Sequence, residues 1–131
     1  MLPVGYFPCT QDPPHGEHVA RMIDEVMEQA QVCEDVGFDG FFFTEHHQQD
    51  DAYLPNPVLM AGMVGMRTKR IKVGTCVLLA PLYHPVRLAE DIAIVDQATK
   101  GRFITAAGIA YQPADFDQFG VNIKQRVGRT E

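Results

Sequence analysis

Apolar and polar positions follow two different spacings along the chain, which predicts strands and helices in turn. Between residues 17 and 36 apolar side chains recur every three or four positions, with acidic residues opposite, as in an amphipathic helix. Short apolar runs bounded by Gly, Pro or Asn predict buried strands. We predict strands at 4–9, 41–44, 71–79 and 103–107, and helices at 17–36, 57–67 and 85–99. A long loop over 108–120 precedes a further helix that is predicted to begin near Lys124.

The alternation of strands and helices predicts an α/β fold with a parallel sheet. Two architectures fit: a doubly wound open sheet, and the first half of a (β/α)8 TIM-type barrel, which takes about 250 residues in full. An open sheet is expected to finish on a covering helix, whereas this chain of 131 residues stops where a helix begins. We therefore expect residues 1–131 to be the N-terminal half of a barrel, with the first four strands, about three helices and no C-terminal half.

The most informative segment is a Phe-rich strand that ends in Glu45, His46 and His47. The phenylalanines at 41–43 require burial on both faces of the sheet. The carboxyl ends of parallel strands collect ligands and catalytic groups, and carboxylates and imidazoles are side chains that move protons. We expect proton transfer from at least one of the three residues; the alternative is a structural, hydrogen-bonded histidine. Neighbouring residues on a strand point to opposite faces, so no metal site shared by both histidines is expected.

Two further segments reach the same predicted rim. Cys76 lies near the end of the third strand, where it is either a nucleophile or a buried, unreactive thiol; the second interpretation is simpler, because no Cys-His-Asn set accompanies it. The loop over 108–120 begins with small residues that leave room for a flat ligand. The sequence has no Walker A pattern, no G-x-G-x-x-G after the first strand and no G-x-S-x-G elbow.

The helix over 57–67 has almost no polar residue, and a helix that is apolar all round is covered on both sides. One face can pack on the sheet. The other needs a partner subunit or another part of the same chain, and we favour the partner. Ala61, Gly62 and Gly65 would allow a covering helix to approach closely.

Composition narrows the class of protein. The net charge of −6 argues against a nucleic-acid surface, and we interpret the basic cluster at 67–72 as a solvated loop. No apolar run of about 18 residues is present, so no membrane partner is expected, and the first residues lack the pattern of a signal peptide. Cys9, Cys33 and Cys76 fit neither a disulfide framework nor a zinc spacing, which indicates a reducing cytoplasm.

Taken together, several motifs resemble those of the bacterial luciferase-like family of flavin-dependent monooxygenases. Each motif is weak alone, but their order and spacing are specific, and they cover the N-terminal half of the family's barrel. The matching pieces are Gly37-Phe38-Asp39 with Glu45-His46-His47, Asn56-Pro57, the segments 67–71 and 73–75, the segment 84–91, Asp96-Gln97, Gly101-Arg102-Phe103, Tyr111-Gln112-Pro113, Asp115-Phe116 and Phe119-Gly120.

The resemblance implies an eight-stranded barrel that binds reduced FMN at its carboxyl-end rim. Reduced flavin reacts there with molecular oxygen to oxidise a small organic substrate, which in luciferases is an aldehyde, and a flavin reductase supplies the FMNH2. Two alternatives stay open: a relative that uses a deazaflavin coenzyme for hydride transfer, and a non-catalytic flavin-binding or dimer-partner subunit. We expect the half barrel alone to be inactive, because half of the rim is absent.

The resemblance also implies roles for individual residues at the strand ends. His46 matches the family's proton-transfer histidine, and Glu45 and His47 match its supporting neighbours. Cys76 and Val77 match a position where the family has a non-prolyl cis peptide beside the flavin ring.

Other implied positions lie in the loop over 108–120 and in two helices. Gly108 stands where luciferase has a reactive, nonessential cysteine, and Asp115 matches an acidic residue that influences the flavin site. Ile109 replaces an arginine near the flavin phosphate, which puts phosphate binding by this segment in doubt. The helices over 57–67 and 85–99 match those that form the family's dimer interface, and so imply a homo- or heterodimer.

Overall fold

Four parallel strands form one sheet in the order β1-β2-β3-β4 in the computed structural model, which describes residues 2–131. The strands are β1 (Gly5–Tyr6), β2 (Gly40–Phe43), β3 (Lys72–Leu79) and β4 (Phe103–Gly108). The helices are α1 (Val19–Val36), α2 (Pro57–Arg67), α3 (Pro85–Ala98), α4 (Pro113–Gln118) and α5 (Arg126–Thr130). Single 3-10 turns occupy Ala80–Leu82 and Ile123–Gln125. The predicted parallel α/β fold is therefore confirmed.

The predicted boundaries agree with the structure except at two places. The predicted strand at 4–9 shrinks to β1, because only Gly5 and Tyr6 pair with β2. The predicted loop over 108–120 contains α4, which begins at Pro113 and carries Asp115 in its first turn. Proline at the first position of a helix and an acidic residue in the first turn both favour a helix start, and the sequence prediction overlooked this signal.

The main core lies between the sheet and helices α1 and α2. Phe41 and Phe43 point into it and are 0% and 1% exposed. Phe42 points to the other face of the sheet, as alternation along a strand requires, and its ring lies 5.9 Å from that of Phe7. Space for the Phe42 ring depends on glycine, because a Cβ at Gly40 would lie 2.4 Å from it. Phe42 is only half-buried, so the expectation that all three phenylalanines are buried is wrong for the middle one.

The small residues of α2 contact the chain's own α3 region. A Cβ at Gly62 would lie 3.3 Å from Val95, and one at Gly65 would lie 2.3 Å from Thr99. Part of the cover that α2 needs therefore comes from the same chain. A strip of larger apolar side chains on α2 stays exposed: Leu59, Met63 and Met66. In residues 2–131 no helix is long and apolar enough to cross a membrane.

At the amino ends of the strands, Arg102 caps the last turn of α2. Its guanidinium donates to the carbonyl oxygens of Gly65 at 2.6 Å, Thr68 at 3.1 Å and Ile71 at 2.9 Å. The final carbonyls of a helix have no partner within the helix, so a cation there satisfies them and complements the helix dipole. Arg102 thus joins α2, the following loop and β4.

Glu34, near the end of α1, accepts hydrogen bonds from three successive backbone N–H groups. The donors are Lys69 at 2.9 Å, Arg70 at 2.6 Å and Ile71 at 2.8 Å. Burial alone would raise the pKa of Glu34, but these N–H donors and the charge of Arg70 outweigh it and lower the pKa. The basic side chains at 67–72 are exposed, as predicted, while the backbone beneath them is held by Glu34.

Replacing Glu34 by Gln should destabilise the fold by about 1–2 kcal/mol at neutral pH, since hydrogen bonds to a charge are lost in a partly solvated place. The pKa of Glu34 is lowered in the folded chain, so its contribution exists above the ordinary glutamate pKa of about 4.3 and fades as the pH falls through the folded value. Urea unfolding over a pH series measures both effects. Glu28→Gln, on the exposed side of α1, is the matched control. An equal loss at acid and neutral pH would contradict this account.

Candidate active site

Glu45 is buried immediately beyond β2, where it is 2% exposed. One carboxylate oxygen, Oε1, accepts from His47 Nε2 at 2.7 Å and from the Tyr83 hydroxyl at 2.9 Å. The other, Oε2, accepts from the backbone N–H of Leu79 at 2.8 Å. Three donors from three segments therefore hold a carboxylate that would be costly to bury without partners.

The two neighbouring histidines have different surroundings. His47 donates to Glu45, its side chain is 10% exposed, and its ring lies 4.6 Å from that of Phe119. His46 faces the edge of the Tyr53 ring at 4.8 Å, and its Nδ1 lies 3.4 Å from the amide nitrogen of Gln112. Within residues 2–131 the Nε2 nitrogen of His46 has no hydrogen-bond partner, whereas the Nε2 nitrogen of His47 is bonded to Glu45.

A cleft of about 420 Å³ opens at the carboxyl ends of the strands. Its wall is mostly apolar, with a single cationic side chain. The lining residues are Thr44, Glu45, His46, Cys76, Val77, Leu79, Gly108, Ile109, Ala110, Tyr111 and Arg126. Five of the seven site residues predicted from the sequence thus meet in one place. Such a cleft is large enough for a small ligand.

Cys76 and Val77 form one side of this cleft. The peptide bond between them is cis, in agreement with the expectation drawn from the resemblance. Cys76 is exposed, so the interpretation as a buried thiol is wrong; Thr75 takes the buried side of β3 and Cys76 the opposite one. The Val77 side chain packs against the backbone at Gly108, where an added Cβ would lie 2.8 Å from it. Glycine therefore allows this close approach.

Asp115 and His47 do not line the cleft. Asp115 is 2% exposed in the first turn of α4, and its Oδ1 has no hydrogen-bond partner among the described residues. It lies beside Phe116, which belongs to a second apolar cluster with Leu79, Leu82 and Ala110. A direct contact between Asp115 and a cofactor stays a prediction.

The sequence of the chain matches the profile of the family described as luciferase-like monooxygenases over residues 2–131. The chain belongs to this family. It is 32% identical to the alkanal monooxygenase alpha chain of Photorhabdus laumondii subsp. laumondii over 127 residues, which cover 97% of this chain and 35% of that protein. The luciferase-like chain thus spans about a third of the length of this curated relative.

Two solved structures have a fold similar to that of this chain. One is the oxygenating constituent of 3,6-diketocamphane monooxygenase from Pseudomonas putida, a type II Baeyer-Villiger monooxygenase in complex with FMN. It matches with a TM-score of 0.87 and 25% identity over 98% of this chain and 37% of that one. The other is an F420-dependent secondary alcohol dehydrogenase, with a TM-score of 0.67 and 22% identity over 98% of this chain and 40% of that one. The second likeness concerns the fold alone. The expected partial TIM-type barrel is confirmed.

Two residues of this luciferase-like site were missed by sequence reasoning. Arg126 begins α5 and brings a cation into the cleft. The sequence could have indicated Arg126, because the helix predicted near Lys124 follows a loop that starts at the carboxyl-end rim. Tyr83 lies in the turn between β3 and α3, and nothing in its sequence neighbourhood points to Glu45. Burial, together with the negative charges of Glu45 and Asp91, raises the pKa of the Tyr83 phenol, so its hydroxyl stays a donor.

Replacing Glu45 by Gln should cost about 1–3 kcal/mol of stability. An amide has one acceptor oxygen and one NH2 group in place of two acceptor oxygens, so either a donor faces another donor or His47 and Tyr83 have to change from donors to acceptors. Denaturant unfolding compares the variant with Glu17→Gln, the same change at an exposed position. Equal stability of the two variants would show that the Glu45 contacts are not needed for folding.

Proposed function

We propose that this chain is the flavin-binding N-terminal part of an oxidoreductase that uses reduced FMN and molecular oxygen to oxidise a small organic molecule. The observation that carries the proposal is the cleft, where a free imidazole nitrogen, an apolar wall and one cation converge at the carboxyl ends of β2, β3 and β4. Family membership supports monooxygenase chemistry, and a relative of known structure holds FMN.

The residues present suit a flat, partly charged ring system. Val77, Leu79 and Ile109 offer apolar surface to a ligand in the cleft. The guanidinium of Arg126 suits an anionic group such as a phosphate. Arg126 would therefore supply part of the positive charge that the family's arginine provides at position 109, where this chain has Ile109. These residues would hold FMN. Reduced flavin, when bound, supplies the electrons for oxygen chemistry.

The chain's own residues would control protons at this place. His46 can accept or release a proton at Nε2, while Glu45 and His47 fix the backbone and the neighbouring ring. Tyr111, which is 71% exposed and lies 6.4 Å from the His46 ring, would cover a bound ligand and exclude water. A separate flavin reductase would supply the reduced FMN. A cytoplasmic location, which the cysteines indicate, stays a prediction.

A deazaflavin coenzyme is the alternative cofactor, favoured by the likeness to the F420-dependent dehydrogenase. That enzyme class would transfer hydride without consuming oxygen. A non-catalytic, flavin-binding or dimer-partner subunit is the third possibility. Transfer of oxygen to an organic substrate in the presence of reduced FMN separates the three: the first proposal requires it, and both alternatives require its absence.

We further propose that the rest of the barrel comes from β/α units of the kind that fill the remaining length of the relatives. On the side of the sheet away from the main core, Phe7 and Ile104 are 49% and 41% exposed. The outer strands β1 and β4 each pair with one neighbour within the described residues. Four more β/α units would cover this face and close both edges. The chain alone is then expected to be inactive.

Replacing His46 by Ala should slow oxygenation of the organic substrate with reduced FMN by about 10²–10⁴-fold, the usual contribution of a positioned proton-transfer group. The experiment uses the protein with its complete barrel, and FMN affinity is measured alongside. Added imidazole should restore part of the rate, because a small base can occupy the vacated space. His15→Ala removes an exposed histidine and is the control. If His46→Ala has the rate of the unmodified protein at pH values from about 6 to 9, His46 is a structural residue and does not transfer a proton.

We also propose that the exposed strip of α2, together with α3, forms the contact with a second copy of the chain. Leu59, Met63 and Met66 on α2 are joined by Val86 and Ile94 on α3, which are 60% and 68% exposed. An apolar surface of this kind marks an association site in a soluble protein. A heterodimer with a related chain would use the same surface.

Replacing Met63 by Glu should dissociate such a dimer, because the interface would have to bury an unpaired charge. Sedimentation over a concentration series measures the effect. Val32→Glu makes the same change at an exposed position of α1, outside the strip, and should leave association unchanged. A protein that is monomeric before and after the change would refute the interface.

A further inference from the structure

Tyr83 connects the cleft at the carboxyl ends of the strands with the groove between α2 and α3. Its hydroxyl donates to Glu45 Oε1 at 2.9 Å, behind the cleft. Its ring lines a groove of about 330 Å³ between α2 and α3, with Leu59, Arg87 and Asp91 among the other lining residues. The turn Ala80–Leu82 sets its position, and the N–H of Tyr83 donates to the carbonyl of Ala80 at 3.1 Å.

The hydroxyl of Tyr83 competes with His47 for the same oxygen. Both groups donate to Glu45 Oε1, at 2.9 Å and 2.7 Å, while Oε2 is occupied by Leu79 N–H. An oxygen that accepts two hydrogen bonds attracts each donor less strongly than it would attract one alone. The raised pKa of the Tyr83 phenol keeps it protonated at neutral pH, so the competition is permanent there.

We propose that Tyr83 is a positioning residue of the site: its hydroxyl holds the Glu45 carboxylate in place and limits how strongly that carboxylate attracts the Nε2 proton of His47. In this way Tyr83 sets the orientation of the His47 ring and of the chain at His46. The proposal rests on the proposed function in one respect only, that these histidines belong to the working site.

A purely structural Tyr83 would contribute packing and one hydrogen bond, and its loss would lower stability without changing His47. A positioning role predicts a specific change. When the second donor is removed, the His47–Glu45 hydrogen bond strengthens and its proton resonance moves downfield. The Tyr83→Phe variant removes the hydroxyl and keeps the ring in the groove.

The experiment follows the imidazole N–H proton of His47 by NMR in the full chain, without flavin. We expect a downfield shift in Tyr83→Phe and none in Tyr6→Phe, which removes another partly buried phenol hydroxyl, hydrogen-bonded to Gln29 and away from Glu45. In the protein with its complete barrel, Tyr83→Phe should lose about 2- to 10-fold in kcat for oxygenation of the organic substrate, which is what one ordinary hydrogen bond supports, with KM for reduced FMN unchanged.

A second variant should shift the His47 imidazole proton in the opposite direction. It also provides a test if Tyr83→Phe does not fold. 3-Fluorotyrosine at position 83 is a more acidic phenol and a stronger donor, so the His47 proton should move upfield. An unmoved His47 resonance in a folded variant overturns the proposal. Absence of substrate oxygenation by the unmodified protein with its complete barrel would overturn the proposed function instead, and the NMR result would still decide the role of Tyr83.

Discussion

The Glu45 carboxylate is buried where β2 ends, and it has to be satisfied there by groups from other parts of the chain. Leu79 N–H comes from the end of β3, the Tyr83 hydroxyl from the turn before α3, and His47 Nε2 from the segment that follows β2. A buried carboxylate that lost one donor would cost several times what a surface contact is worth. The segments at the carboxyl ends of β2 and β3 are therefore fixed relative to each other before any ligand binds.

The opposite end of the sheet uses charge in a different way. Glu34 and Arg102 bind backbone groups there: N–H groups of the loop before β3 in one case, and carbonyls at the end of α2 in the other. These contacts join helices to strands. At the carboxyl end the side chains bind one another, and His46 and Arg126 line an open space. The candidate chemistry thus lies at the carboxyl ends of the four strands, as is usual in parallel barrels.

Local sequence patterns predicted most of the fold because they depend on neighbours along the chain. The apolar run from Pro57 predicted α2 to the residue, and the Phe-rich strand placed Glu45 and both histidines at the rim. What the sequence could not supply were contacts between distant segments. The exposure of Cys76 depends on which face of β3 meets the helices, and the link from Tyr83 to Glu45 spans 38 residues. The burial of Asp115, whose Oδ1 lacks a partner, is likewise a tertiary result.

The pair His46–His47 looks chemically symmetrical in the sequence, and the structure makes it asymmetrical. His47 donates a hydrogen bond from Nε2 to Glu45, and its ring packs on Phe119. Removing the Nε2 proton would break this buried hydrogen bond. His46 is held from the side, by the Tyr53 ring and the Gln112 amide, and its Nε2 has no protein partner among residues 2–131. A proton-transfer group needs both a fixed ring and a free nitrogen. His47 and Glu45 supply the fixed frame, which is why one histidine of the pair can remain available to a ligand in the cleft.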